Sequence, residues 1–178
     1  MQTSLNIKEP GLNVFPLGVE RYVVNGGGLT GVQILPDDEI EIINDEGNQI
    51  CEITVFNKDG KSELGILNLK ESKNSSEIKK ILFNKNETSL QALFQLKKRN
   101  LDIEKSKSAI LFDKDTVAKE TIKLKSKDKC YCIISAPGNA MLVHEQNPST
   151  DLTVLVKRAE KKQDKEFSVI PDPVYDPS

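Results

Sequence analysis

Short runs in which apolar and polar side chains alternate occupy most of the chain. The run Glu39-Ile40-Glu41-Ile42 is the clearest, and its period of two is typical of a strand with one buried face. Similar runs, separated by Gly, Pro, Asn and Asp, predict eight or nine strands at 21–24, 31–35, 39–42, 49–56, 108–112, 120–124, 130–136, 141–143 and 152–156. The turn-forming residues 44–48 join two of these runs, so the pattern predicts a hairpin formed by 39–42 and 49–56.

The middle of the chain changes to helical spacing. Ser75 precedes apolar residues spaced by three and four positions, and Thr88 with Gln91 fits a capping box at the start of a second helix. Asn100 is a plausible residue to end that helix. We therefore expect a two-helix insertion around 75–100.

The order of these elements indicates the fold class. Strands that follow one another with few crossover helices favour antiparallel pairing. We predict a mainly β (α+β) domain over 1–156, an antiparallel barrel or sandwich of eight to nine strands. Residues 157–166 form a charge run without an apolar face, and 170–177 contains three prolines. Residues 157–178 are therefore predicted to be a charged, Pro-rich tail that links to a following domain.

Composition excludes several kinds of partner. The 178 residues carry a net charge of −2, with an isoelectric point near 5.6, which argues against nucleic-acid binding. No apolar run approaches the roughly 20 residues that cross a bilayer, and the N-terminus lacks signal-peptide features. We expect a cytoplasmic protein with no membrane partner.

The three cysteines and the sole histidine raise the question of a metal site. Cys51, Cys130, Cys132 and His144 form a nominal zinc set. Cys130 and Cys132 lie two apart in a predicted strand, about 7 Å from each other on one face, whereas zinc-bound thiolates lie roughly 3.8 Å apart. We therefore expect buried cysteines and no metal, with the zinc set and a Cys–His144 catalytic pair as the alternatives.

Polar residues gather at the ends of certain predicted strands, where barrels commonly place their ligand contacts. The candidate substrate-binding residues are Asn48, Gln49, Asn57, Gln146, Asn147 and Asp151. The alternative is that 147–151 is only a turn that satisfies its own backbone.

The same segments carry a family resemblance. The turn Gly47-Asn48-Gln49, the strand end Phe56-Asn57 and the polar stretch 137–151 resemble the urea-carboxylase-associated family of β-rich domains. Such domains also occur at the front of long proteins that end in a folate-dependent aminomethyltransferase, a relative of the glycine-cleavage T protein. The segment 169–173 is similar to the linker that leads onward in those fusions.

The departures from the family decide what the resemblance implies. Better-known members carry a His-Asp pair and a later cysteine, whereas here Glu145 follows His144 and the stretch 112–118 has neither His nor Cys. The resemblance implies a non-catalytic accessory or small-molecule-recognition domain of an aminomethyltransferase-like protein of one-carbon and nitrogen metabolism.

Cofactors and partners follow from the same resemblance. Tetrahydrofolate would belong to the parent polypeptide, with no cofactor in this segment. The expected partners are the following domains or a partner protein, and a small amine or carboxylate ligand. The alternative is a free-standing enzyme of carbon–nitrogen metabolism that uses a cysteine and His144.

Overall fold

The computed structural model describes residues 5–7, 18–72, 77–83, 86–138 and 149–159. Nine strands and two α-helices lie within these ranges. The strands are β1 (Leu5–Ile7), β2 (Val19–Val24), β3 (Leu29–Ile34), β4 (Glu39–Asn44), β5 (Cys51–Phe56), β6 (Ser108–Phe112), β7 (Glu120–Lys125), β8 (Cys130–Ser135) and β9 (Leu152–Lys157). The helices are α1 (Glu77–Leu82) and α2 (Glu87–Lys98), and a 3-10 turn spans Leu64–Leu67. The predicted strand at 141–143 lies outside the described residues.

The strands form two sheets that pack as a sandwich. One sheet has the order β1-β3-β8-β5-β6, and the other has the order β2-β9-β4-β7. The short β1 is parallel to β3, and the other eight strands pair antiparallel. This arrangement confirms the predicted mainly β antiparallel sandwich with two helices.

Two apolar layers stabilise the domain. The first lies between the sheets and is built from inward-facing residues such as Val32, Ile42 and Val154. The second lies on the other face of the larger sheet, where Ala92 and Leu96 of α2 join a buried cluster with sheet residues such as Phe56. Because both of its faces are covered, the larger sheet contains strands that are buried at every position, namely β5 and β8.

The predicted hairpin of residues 39–56 is wrong. β4 pairs with β7 and β9, whereas β5 pairs with β6 and β8, so residues 45–50 carry the chain from one sheet to the other. The burial patterns explain the difference. β4 alternates between buried and more exposed positions, whereas β5 is buried throughout and requires a strand on each side.

The helical insertion begins and ends near the predicted residues. The N-cap of α2 is Asn86, whose Oδ1 accepts from Ser89 N at 2.7 Å, so the predicted Thr88 capping box is wrong. Asn100 adopts φ +60° directly after the helix, which confirms it as the stop. Ser75 lies outside the described residues. Neither helix in the described part of the chain is long and apolar enough to cross a membrane.

The end of β9 continues the fold beyond residue 156. Lys157 is the last residue of β9, and Arg158 is buried with 8% of its surface exposed. Residues 160–178 lie outside the described ranges, so the linker assignment stays a prediction.

Candidate functional site

Gln49 organises one end of the sandwich, which we call the polar end (Asn44, Gln49, Thr150 and Asp151). The side chain of Gln49 is buried, with 1% of the residue exposed. Its Nε2 donates to the carbonyl oxygens of Ile50 and Pro137, both at 2.9 Å, and its Oε1 accepts from Thr150 N at 2.8 Å. Gln49 therefore ties the segment before β5 to the segments that follow β8 and precede β9.

Asn44 contributes an acceptor to the same end. Its Nδ2 donates to the carbonyl oxygen of Gln49 at 2.8 Å. Its Oδ1 and the Thr150 Oγ1 are buried atoms without a hydrogen-bond partner in the described structure. A buried acceptor left without a partner costs about 1–3 kcal/mol, so Asn44 Oδ1 favours a donor such as the N–H of a small amine or a water O–H.

Asp151 belongs to the polar end, and Asn48 directly precedes Gln49 in sequence. Asp151 Oδ1 accepts from Gly26 N at 2.8 Å. A Cβ on Gly26 would lie 2.7 Å from the carbonyl carbon of Ser149, so this close approach requires glycine. Asn48 is exposed at φ +58°, and its backbone N–H donates to the Thr116 carbonyl at 2.7 Å.

Asn57 lies at the opposite end of β5 from Gln49, about 20 Å from Cys51 at about 3.3 Å per strand residue. Its Oδ1 accepts from Asp59 N at 2.9 Å and Lys61 N at 3.0 Å, and its Nδ2 donates to Glu63 Oε1 at 2.9 Å. Asn57 thus closes its own turn. The structure brings Gln49 and Asp151 to one end and separates Asn57 from them, while Gln146 and Asn147 lie outside the described residues.

The cysteines divide into a pair and a separate residue. The Sγ atoms of Cys130 and Cys132 are 3.9 Å apart, so the expected 7 Å separation is wrong for the thiols, which turn toward each other. Val55 is the cross-strand partner of Cys132, and Cys51 lies four residues from Val55 along β5. At about 3.3 Å per residue, Cys51 is therefore about 13 Å from Val55. The described residues contain no group of three or more His, Cys, Asp or Glu that could hold a metal, and His144 falls outside them. The metal-free assignment therefore stays a prediction.

Burial and hydrogen bonding perturb the three thiols in different ways. Burial raises the pKa of Cys51, and the nearby Glu52 carboxylate raises it further. The hydrogen bond between Cys130 and Cys132 lowers the pKa of Cys130 and raises that of Cys132. All three thiols are buried, so none is positioned to attack a substrate in solution.

A buried ionic network at the end of β9 was not anticipated from the sequence. Arg158 Nη2 and Nε donate to the two carboxylate oxygens of Glu20 at 2.7 and 2.9 Å, and Nη1 donates to Asp38 Oδ2 at 2.7 Å. Tyr22 Oη also donates to Glu20, at 2.5 Å. Burial alone would lower the pKa of Arg158, but the hydrogen bonds and charges of the two acids raise it overall. The network is a structural anchor, because each charge in it faces its opposite.

Comparisons with known proteins give a distant relationship. No family model matches the chain. The chain is 33% identical over 172 residues, 96% of its length, to trimethylamine-oxide aldolase of Ruegeria pomeroyi. It spans 22% of the length of that protein, so it is distantly homologous to one segment of the aldolase.

Proposed function

We propose that the chain is a non-catalytic accessory domain of a larger, aldolase-like protein of one-carbon and nitrogen metabolism in the cytoplasm. One observation carries the proposal. The alignment with trimethylamine-oxide aldolase includes 96% of this chain but 22% of the aldolase, so the homology is that of one unit within a longer protein. Tetrahydrofolate, which the resemblance to aminomethyltransferase fusions implies, would then bind outside this domain.

The hydrogen bonds of the candidate residues support a structural role. Gln49 uses its amide to join three segments of backbone, and Asn57 uses its amide to close a turn. Side chains that are committed in this way are not free to reorganise around a reacting group. The buried thiols support the same conclusion, since a nucleophilic cysteine requires exposure and thiolate character.

The outer face of α2 supports a docking role. Leu90 and Phe94 lie four residues apart on that face, with 53% and 61% of their surfaces exposed. Lys98 Nζ lies 4.8 Å from the centre of the Phe94 ring, and Lys97 also lies in the last turn. An apolar face with cations at one end fits a partner surface that combines apolar and acidic side chains. We propose that this face of α2 docks against the part of the aldolase-like protein that this chain does not span.

The polar end supports recognition of a small amine as a secondary role. Asn44 Oδ1 is a buried acceptor, and an ammonium group supplies N–H donors to such an atom. This role requires only binding, and no group at the polar end has to react.

A chimera tests the accessory role. The matching segment of the Ruegeria pomeroyi aldolase would be replaced by this chain. Consumption of trimethylamine oxide would be measured as the loss of its N-methyl signal in proton NMR spectra. We expect the chimera to consume the substrate, and we expect Cys51→Ser, Cys130→Ser, Cys132→Ser and His144→Ala to leave its turnover unchanged. A variant that abolishes turnover while the melting temperature is unchanged would instead support the enzyme alternative.

The docking face is tested with two separate proteins, this chain and the Ruegeria pomeroyi aldolase without its matching segment. Leu90→Ser together with Phe94→Ser should reduce the fraction of the two proteins that elute as a complex in size-exclusion chromatography with light scattering. Gln91→Ala with Gln95→Ala, at exposed positions of the same helix, is the matched control and should leave assembly unchanged. Equal behaviour of the two double variants would contradict docking through α2.

A further inference from the structure

A groove lies between the 3-10 turn and the edge strand β7, away from the polar end. Its volume is about 370 Å³, within the range of small-molecule sites. One wall carries Lys123, Lys125 and Lys127, and the other carries Asn68. β7 is the last strand of its sheet, so the groove runs along an open edge.

The charge of the groove is locally positive in a chain whose net charge is −2. Lys123 and Lys125 lie two apart in β7, so strand geometry spaces their backbones by about 7 Å, and Lys127 follows two residues after the strand ends. Lys127 Nζ is held by Asn68 Oδ1 at 3.2 Å, and Lys123 Nζ lies 3.7 Å from Glu41 Oε1. Because Lys123 already pairs with Glu41, Lys125 and Lys127 are the two ammonium groups that a ligand would meet, and Asp37 is the acidic residue in the lining. The groove therefore favours anions with more than one charge.

The remaining lining residues determine which kind of anion fits. Leu124 is partly exposed and supplies apolar surface to the groove, whereas Leu67 is buried with 1% of its surface exposed. A hydrocarbon segment gains from contact with such an apolar surface, because apolar area is removed from water. Inorganic phosphate has the charge but no apolar part. Lysine ammonium groups also act as point charges without the fork geometry that Arg uses for phosphate.

We propose that this groove binds a small dicarboxylate, with its carboxylates on Lys125 and Lys127 and its carbon chain on Leu124. The proposal names a ligand class for the domain, and it rests on the groove alone. It therefore holds or fails independently of the accessory role, because its test uses the isolated chain and binding rather than turnover.

The test is a titration of the 178-residue chain with glutarate at low salt, followed by ¹H–¹⁵N correlation spectra. We expect saturable shifts confined to the amides of residues 66–68 and 123–127. Butyrate keeps the carbon chain but has one carboxylate, and we expect it to bind about tenfold more weakly, or about 1.4 kcal/mol. Inorganic phosphate should show no saturable shifts in these amides.

Lysine variants locate the site. Lys125→Gln and Lys127→Gln should each weaken glutarate binding about three- to fivefold, as expected for one exposed charge pair. Lys129→Gln is the matched control, because Lys129 is exposed on the same segment but does not line the groove, and it should bind like the wild type. Unchanged spectra of the free variants establish that they are folded.

Three results would overturn the proposal. They are the absence of saturable glutarate shifts, equal weakening by Lys129→Gln, and phosphate binding as tight as glutarate binding. The last result would show a site that selects anions by charge alone and makes no use of the apolar surface of Leu124.

Discussion

Arg158 and Glu20, 138 positions apart in sequence, form a buried bidentate ion pair that joins the end of β9 to β2. Asp38 completes the network by accepting from the same guanidinium and, through Oδ1, from the backbone N–H of Ala159 at 2.9 Å. The end of β9 is thus held by charge as well as by strand pairing. These bonds hold the backbone of residues 158 and 159 in place after β9.

Arg158→Ala should destabilise the domain by about 3–5 kcal/mol, because it leaves two carboxylates buried without a counter-charge. Urea unfolding followed by circular dichroism measures this change. Arg21→Ala, at an exposed position in β2, is the control and should change stability by about 0.5 kcal/mol or less. Adding Glu20→Gln to Arg158→Ala should recover part of the loss. A loss no larger than that of Arg21→Ala would show that the network does not anchor β9.

Tyr22 should make the domain sensitive to alkaline pH. Burial raises the pKa of Tyr22 above its ordinary value of 10.0, and the hydrogen bond to Glu20 raises it further. Below pH 10 the phenol is neutral in both the folded and the unfolded protein, and its contribution to the free energy of unfolding is fully present. As the pH rises above 10, the unfolded tyrosine ionises while the folded one stays protonated, so stability falls. The free energy of unfolding should therefore decline less steeply above pH 10 in Tyr22→Phe. If the free energy of unfolding declines equally steeply in the wild type and in Tyr22→Phe, this explanation is contradicted.

Gln49→Ala should loosen the polar end. The change leaves Thr150 N and the Pro137 carbonyl without their partner, which costs about 1–3 kcal/mol. Amide hydrogen exchange at Thr150 should accelerate, whereas Gln95→Ala, on the exposed face of α2, should leave it unchanged. If Thr150 stays equally protected in Gln49→Ala, Gln49 does not hold this segment and the binding role predicted for its side chain regains support.

The three thiols should be unreactive in the native protein. Cys51 and Cys132 are fully buried, and Cys130 has 2% of its surface exposed. We expect the reagent DTNB to label them only as fast as the domain unfolds, and to label all three in denaturant. A cysteine that reacts within seconds under native conditions would instead favour the alternative in which a thiol and His144 carry out catalysis.

The strands could be predicted from the sequence where one face is buried and the other faces solvent. β4 and β7 alternate for this reason, and their bounds differ from the predicted ones by no more than two residues. The partner of each strand could not be predicted in the same way. Whether 39–44 pairs with 51–56 depends on packing between distant parts of the chain, and local turn residues contain no information about it.

The candidate site shows a similar limit. Asn and Gln at strand ends serve ligands and backbone turns equally well, and Asn57 takes the second role through bonds to Asp59, Lys61 and Glu63. Asn44 could have been found, since it continues the inward-facing series of Ile40 and Ile42. Arg158 could not, because it sits in a charge run and is buried only through partners more than a hundred residues away.

Turnover by the isolated chain tests the central claim most directly. The chain, with and without added Zn²⁺, would be incubated with trimethylamine oxide, and the N-methyl proton signal would be followed, with the Ruegeria pomeroyi aldolase as the positive control. The accessory-domain account predicts that the N-methyl signal of trimethylamine oxide stays constant in every sample of the chain and decreases in the sample with the aldolase. Loss of the signal with the chain alone, abolished by His144→Ala or a cysteine variant, would contradict the account.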